Sequence, residues 1–93
     1  MKKFVIERNL PGAGNLTAEE LQTISQTSCT VAVQLGRPYH WIQSFVTDDK
    51  LYCIHIAESE EIVREHARLG GFPVNTVSEV RAVIDPLTSN MLK

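Results

Sequence analysis

The stretch from Tyr39 to Ala57 constrains this chain more than any other. It reads Tyr-His-Trp-Ile-Gln-Ser-Phe-Val-Thr-Asp-Asp-Lys-Leu-Tyr-Cys-Ile-His-Ile-Ala. Two runs rich in aromatic and β-branched residues flank Thr47-Asp48-Asp49-Lys50. Aspartate tolerates turn conformations and bonds its own backbone, so the pattern predicts a β-hairpin with Asp48 and Asp49 in the loop. Closure there sets Val46 opposite Leu51, Ser44 opposite Cys53 and Ile42 opposite His55. Side chains alternate along a strand. One face would then carry Trp41, Phe45, Tyr52, Ile54 and Ile56, and reads as core. The other would carry His40, Ile42, Ser44, Val46, Leu51, Cys53 and His55, and is where chemistry is expected.

The rest of the chain supplies elements on either side of this hairpin. Lys3 to Arg8 reads as a strand, with Phe4 and Ile6 on one face and Val5 and Glu7 on the other. Asn9 to Asn15 is a Pro- and Gly-rich loop whose glycine spacing matches neither phosphate-binding nor dinucleotide patterns. Thr17-Ala18-Glu19-Glu20 is a capping box that should open a helix reaching about Leu35. Its inner stripe is Leu21, Ile24, Ser28, Val31, Ala32 and Leu35, and Gly36 and Pro38 end it. Cys29 falls near the stripe's edge and reads as a small buried hydrophobe. A second helix opens at Glu58-Ser59-Glu60-Glu61, lines one side with Ile62, Val63, His66, Ala67 and Leu69, and stops at Gly70-Gly71. Thr76 to Ile84 reads as the last strand, alternating Val80, Ala82 and Ile84 against Val77, Glu79, Arg81 and Val83. One domain is expected over residues 1–86, with a C-terminal tail over 87–93.

The order strand, helix, strand, strand, helix, strand has one compact solution. It is an α+β, ferredoxin-like βαββαβ fold, a four-stranded antiparallel sheet with both helices on one face. Right-handed crossovers put the first and third strands in the middle. The expected open face is too aliphatic to stay in water, and a second copy of the chain covering it by a two-fold contact is the natural answer.

Composition narrows the functional classes. A net charge of -2 gives no footprint for nucleic acid or a membrane surface. No apolar run approaches a transmembrane length. The basic start is followed by an apolar run of only Phe4 to Ile6, too short for a signal peptide, so a cytoplasmic protein is expected. Cys29 and Cys53 are then expected as free thiols.

No nucleophile–base motif and no paired-cysteine or His-Glu-x-x-His spacing is present, so no catalysis is assumed. The remaining candidates are Glu7, Cys53, His55 and Glu79 on the expected open face, with His40 at its rim and His66 on the second helix. Imidazole, carboxylate and thiolate are ligand types for nickel, zinc or copper. On the residues alone the structural reading is preferred: Glu7 and Glu79 pair with Arg81 or Lys3, the histidines are ordinary interface polar groups, and His66 is a hydrogen-bonded structural histidine.

Several segments in sequence carry a resemblance. They are Phe-Val-Ile-Glu-Arg at 4–8, Pro-Gly-Ala-Gly at 11–14 and Leu-Thr-Ala-Glu-Glu-Leu at 16–21. Trp41 with Ser44-Phe-Val-Thr-Asp-Asp-Lys, Leu51-Tyr-Cys, Arg64-Glu-His-Ala-Arg, Gly70-Gly-Phe-Pro and Ser78-Glu-Val continue it. Together they resemble a family of small bacterial proteins whose named member binds nickel, over about residues 3 to 86. The resemblance implies a homodimer forming a dimeric α/β barrel and cytoplasmic binding of divalent nickel. Cys53 and His66 lie in the family-like motifs; His40 and His55 lie where the family often has other residues. The alternative it leaves open is a small-molecule-binding or monooxygenase-like enzyme that uses the pocket of the dimeric barrel.

Overall fold

A computed structural model describes residues 1–90; Met91, Leu92 and Lys93, in the expected tail, lie outside the described residues. The chain forms β1 (Lys2–Asn9), α1 (Ala18–Gln34), β2 (Tyr39–Val46), β3 (Lys50–Ala57), α2 (Glu60–Gly70) and β4 (Thr76–Glu79), with short 3-10 turns at Ala13–Asn15 and Pro86–Asn90. The strands make one sheet in the order β2-β3-β1-β4, and every pairing is antiparallel. This is the ferredoxin-like α+β fold, with β1 and β3 central as the crossover rule requires.

Local chemistry sets the element ends. The Thr17 side chain accepts from the Glu20 amide at 3.1 Å while Glu20 accepts from the Thr17 amide at 2.9 Å, completing the capping box. Ser59 caps α2, and Gly71 closes it at φ 70, a left-handed conformation that glycine adopts without strain. The Pro-Gly loop docks on the hairpin turn: Leu10 N–H donates to Asp49 O and Gly14 N–H to Asp48 O, both at 2.9 Å.

The hairpin register agrees with the sequence at its closed end, where Ser44 pairs with Cys53 and Val46 with Leu51. Further out it departs. A bulge between Trp41 and Gln43 pairs Trp41, not Ile42, with His55. A bulge inserts one residue and re-aims those beyond it, so Trp41 and Phe45 part company. Trp41 stays with the core, and Phe45 is 52% exposed.

The larger correction concerns the faces of β3. Strand β1 buries Phe4, Ile6 and Arg8, and its register sets Phe4 beside His55 and Ile6 beside Cys53. Leu51, Cys53, His55 and Ala57 therefore face the helices, and Tyr52, Ile54 and Ile56 face away. The sequence reading had chosen the bulkier set as core. Size is a poor guide when both faces of a strand are apolar; the small Cys53 and Ala57 leave room for α2, which lies on β3.

Smaller departures follow. Cys29 is exposed on α1, and Leu69 is 44% exposed on α2. Strand β4 stops at Glu79; after the Val80 N–H bond to Lys3 O at 2.8 Å, residues 81–85 leave the sheet. Among the described residues no helix is long and apolar enough to cross a membrane.

The corrected faces predict thiol reactivity. In the native protein Cys29 should react promptly with a thiol reagent, and Cys53 only after denaturant unfolds the domain. Prompt reaction of both would contradict the placement of Cys53 under the helices.

Candidate functional site

The structure gathers its chemically capable side chains between the sheet and the two helices. From β1 comes Arg8, from β2 Tyr39 and Trp41, from β3 Cys53 and His55, and from α2 His66. Strand alternation delivers Cys53 and His55 together. His66 follows Ile62 and Val63 at helical spacing on the buried side of α2.

His66 is wholly buried. Its Nε2–H donates to the Ser28 carbonyl of α1 at 3.0 Å, which leaves Nδ1 as a bare lone pair with no hydrogen-bond partner among the described residues. The ring lies between aromatic neighbours, stacked on Tyr39 at 4.5 Å between centroids and against Phe72 at 5.9 Å. Phe72 is held there by Gly70, where any side chain would collide with the Phe72 ring. His55 meets His66 edge-on, with centroids 5.3 Å apart.

Tyr39 Oη lies 2.5 Å from His55 Nδ1. Burial pushes the Tyr39 phenol up, so it keeps its proton and donates to Nδ1, leaving the imidazole proton on Nε2. Loss of hydration drives the His55 pKa down to about 3, with His66 and the Arg8 guanidinium adding to the same effect. His66 is also lowered, first by burial; its bond to the Ser28 carbonyl pulls the other way, and the Arg8 charge adds to the lowering. Both imidazoles are neutral at neutral pH.

Arg8 is 4% exposed. Its Nε donates to Cys53 Sγ at 3.4 Å and its Nη1 to the Pro73 carbonyl at 2.8 Å, and the guanidinium lies 5.5 Å from the centre of the Phe72 ring. Arg8, Trp41, Cys53, His55 and Phe72 border a cavity of about 40 Å³.

Of the residues proposed from the sequence, the structure brings Cys53, His55 and His66 together. It does not bring Glu7, His40 or Glu79 to them. Glu7 lies across the sheet and meets Lys50 at 3.6 Å. His40 is exposed on β2. Glu79 sits on edge strand β4, between Arg81 at 3.2 Å and Lys2 at 3.9 Å. The expected grouping of Glu7 with Cys53 and His55 on one open face is thereby corrected, since the β1–β3 register separates them. Among the described residues no three His, Cys, Asp or Glu side chains converge closely enough to hold a metal ion. The sequence reading missed Arg8 and Tyr39. Arg8 was within reach, because a residue two beyond Ile6 and four beyond Phe4 shares their face.

The family described as nickel responsive protein SCO4226-like matches residues 4–80. The chain belongs to this family. Its structure is similar to that described as the crystal structure analysis of SCO4226 from Streptomyces coelicolor A3(2), with a TM-score of 0.74 and 20% identity. That likeness covers 88% of this chain and 99% of the other, and at this identity it speaks for the fold. No curated protein matches the chain.

The buried imidazoles give the family member a pH signature. His55 must take a proton on unfolding below pH 6.5 but not in the folded state until about pH 3. The unfolded state therefore binds more protons across that window, and stability falls as pH drops through it. At pH 5 the loss is roughly 2 kcal/mol. Denaturant unfolding from pH 7 to pH 4 should show this slope, reduced in His55→Gln; a pH-independent midpoint would contradict neutral burial.

Proposed function

We propose that this chain is a small nickel-binding protein that acts as a homodimer and carries out no catalytic step. In this reading the buried imidazoles of His55 and His66 supply protein donors for divalent nickel, with Cys53 the neighbouring thiol on the same face of β3. The family's description as nickel responsive supports the metal. The observation that carries the choice of residues is the unpartnered Nδ1 of His66, a buried lone pair beside a second neutral imidazole. Neutral imidazole and thiolate are donors that suit nickel. Bound nickel would be a Lewis acid held by these donors.

His55 would offer Nε2, its proton moving to Nδ1 with the Tyr39 oxygen turning from donor to acceptor. Such an outer partner fixes a ligand's tautomer and raises its basicity. Among the described residues no three such side chains converge, so the remaining ligands, water or groups from outside this cluster, belong to the reading.

Dimerisation is supported by apolar surface that one copy does not cover. Phe45 on β2 is 52% exposed, and beyond β4 Val83 is 71%, Ile84 77% and Leu87 75% exposed. Apolar surface of this kind commonly marks an interface, and a two-fold contact would bury it twice. A dimeric α/β barrel is the arrangement in which such copies would meet.

Calorimetric titration of chelator-treated protein with nickel tests the metal. Saturable uptake is expected, weakened about ten-fold or more by His66→Gln and by His55→Gln, and unchanged by Glu7→Ala or His40→Ala. No uptake above the control would overturn the nickel reading. Loss confined to the Glu7 and His40 variants would move the site to the other face of the sheet. Sedimentation equilibrium at micromolar protein should give twice 10.4 kDa, shifted toward monomer by Val83→Asp, because a buried unpaired charge is costly. Monomer alone in the parent chain would contradict the dimer.

A further inference from the structure

Arg8 carries a full positive charge into the interior, yet among the described residues no carboxylate comes within ion-pair distance of it. A buried charge without a counter-charge is among the costlier things a small domain can hold. Guanidinium has five N–H donors. Nε is taken by the Cys53 sulfur, a weak acceptor, and one Nη1 hydrogen by the Pro73 carbonyl. Nη2 makes no hydrogen bond among the described residues, so the two terminal nitrogens keep donors to spare. Arg8 borders the cavity of about 40 Å³.

Other cavity groups fit the same kind of guest. Trp41 Nε1–H donates to Ser44 Oγ at 2.9 Å, which occupies the oxygen and leaves the Ser44 hydroxyl hydrogen free to donate. Ile24, Leu51, Phe72 and the indole of Trp41 make the remaining wall apolar. A water needs roughly 10–15 Å³ by a comparable measure, so the room corresponds to about three waters.

We propose that this cavity binds the carboxylate of a small monocarboxylic acid, its two oxygens on the terminal nitrogens of Arg8, one also reached by the Ser44 hydroxyl, and its short apolar tail against Trp41 and Leu51. Guanidinium matches a carboxylate in plane and in spacing. The apolar wall disfavours a tetrahedral dianion such as phosphate, whose loss of hydration is not repaid there. The cavity shares Cys53 and His55 with the proposed nickel donors, but the carboxylate's anchor is Arg8 and no metal is required for it to bind.

Trp41 is the only tryptophan in the chain and borders the cavity, so its fluorescence reports on the guest. Chelator-treated protein at constant ionic strength is titrated with acetate, propionate, inorganic phosphate and chloride, and the acetate and propionate series are repeated by calorimetry. Acetate or propionate should give a saturable change, and phosphate and chloride none at the same concentrations. Arg8→Met should weaken the response about ten-fold or more, the loss expected for hydrogen bonds to a charged partner. Ser44→Leu, which fills the cavity and leaves Arg8 in place, should do the same. If Arg8→Met does not fold by circular dichroism, Ser44→Leu decides. Absence of saturable fluorescence and heat in the parent chain, an equal response to chloride, or full affinity in the Ser44 variant would each overturn the proposal.

Discussion

Strand β1 places Phe4, Ile6 and Arg8 on one face of the sheet, and the rest of the molecule answers to what must cover them. Phe4 and Ile6 need an apolar roof, which the helices supply with Ile62 and Val63 of α2 and, at its edge, Ala32 of α1 and Leu35 at its C-cap. Arg8 needs hydrogen-bond acceptors under that roof, and finds the Cys53 sulfur and the Pro73 carbonyl. The antiparallel register then has no freedom left. Pairing Phe4 with His55 and Ile6 with Cys53 brings an imidazole and a thiol into the interior and sends Tyr52, Ile54 and Ile56 to the other side.

The polar interior is stable as a set because its members suit one another. A cation raises the cost of protonating any neighbour, and loss of hydration does the same to both histidines, so they stay neutral around a charged Arg8. Neutral imidazoles stack readily on aromatic rings, and His66 between Tyr39 and Phe72 does so. Among the described residues one buried side-chain polar atom is unsatisfied, the His66 Nδ1 lone pair, and the Arg8 guanidinium has no carboxylate partner. Most buried polar groups in folded proteins have partners, and His66 Nδ1 is the exception among the described residues.

Much of the fold was legible because its signals are local. The capping box at Thr17, the stops at Gly36 and Gly71 and the Asp48-Asp49 turn each depend on a few neighbouring residues, and the element order fixed the topology. The faces of β3 were not legible. Tyr52, Ile54 and Ile56 compete with Leu51, Cys53, His55 and Ala57 for the core, and only the long-range pairing with β1 settles the matter. The bulge at Ile42 was hidden for the same kind of reason, because one extra residue in an apolar run leaves no mark on composition. These two errors account for the misplaced site. Cys53 and His55 were chosen for their chemistry but assigned to the face of Glu7, and His66 was treated apart from them although α2 sets it beside His55. Arg8 was overlooked because a charge at a strand's end is usually solvated, whereas Phe72 and Pro73 close over this one.

The central claim is that two neutral imidazoles lie buried on the helix side of the sheet, one with an uncommitted nitrogen. Long-range proton–nitrogen NMR of the ring nitrogens of metal-free protein at pH 7 tests it most directly. The account predicts a neutral His66 with its proton on Nε2 and a bare, pyridine-like Nδ1, and a neutral His55 whose Nδ1 shift shows a strong accepted hydrogen bond from Tyr39. An imidazolium at either position, or a His66 tautomer protonated at Nδ1, would contradict it.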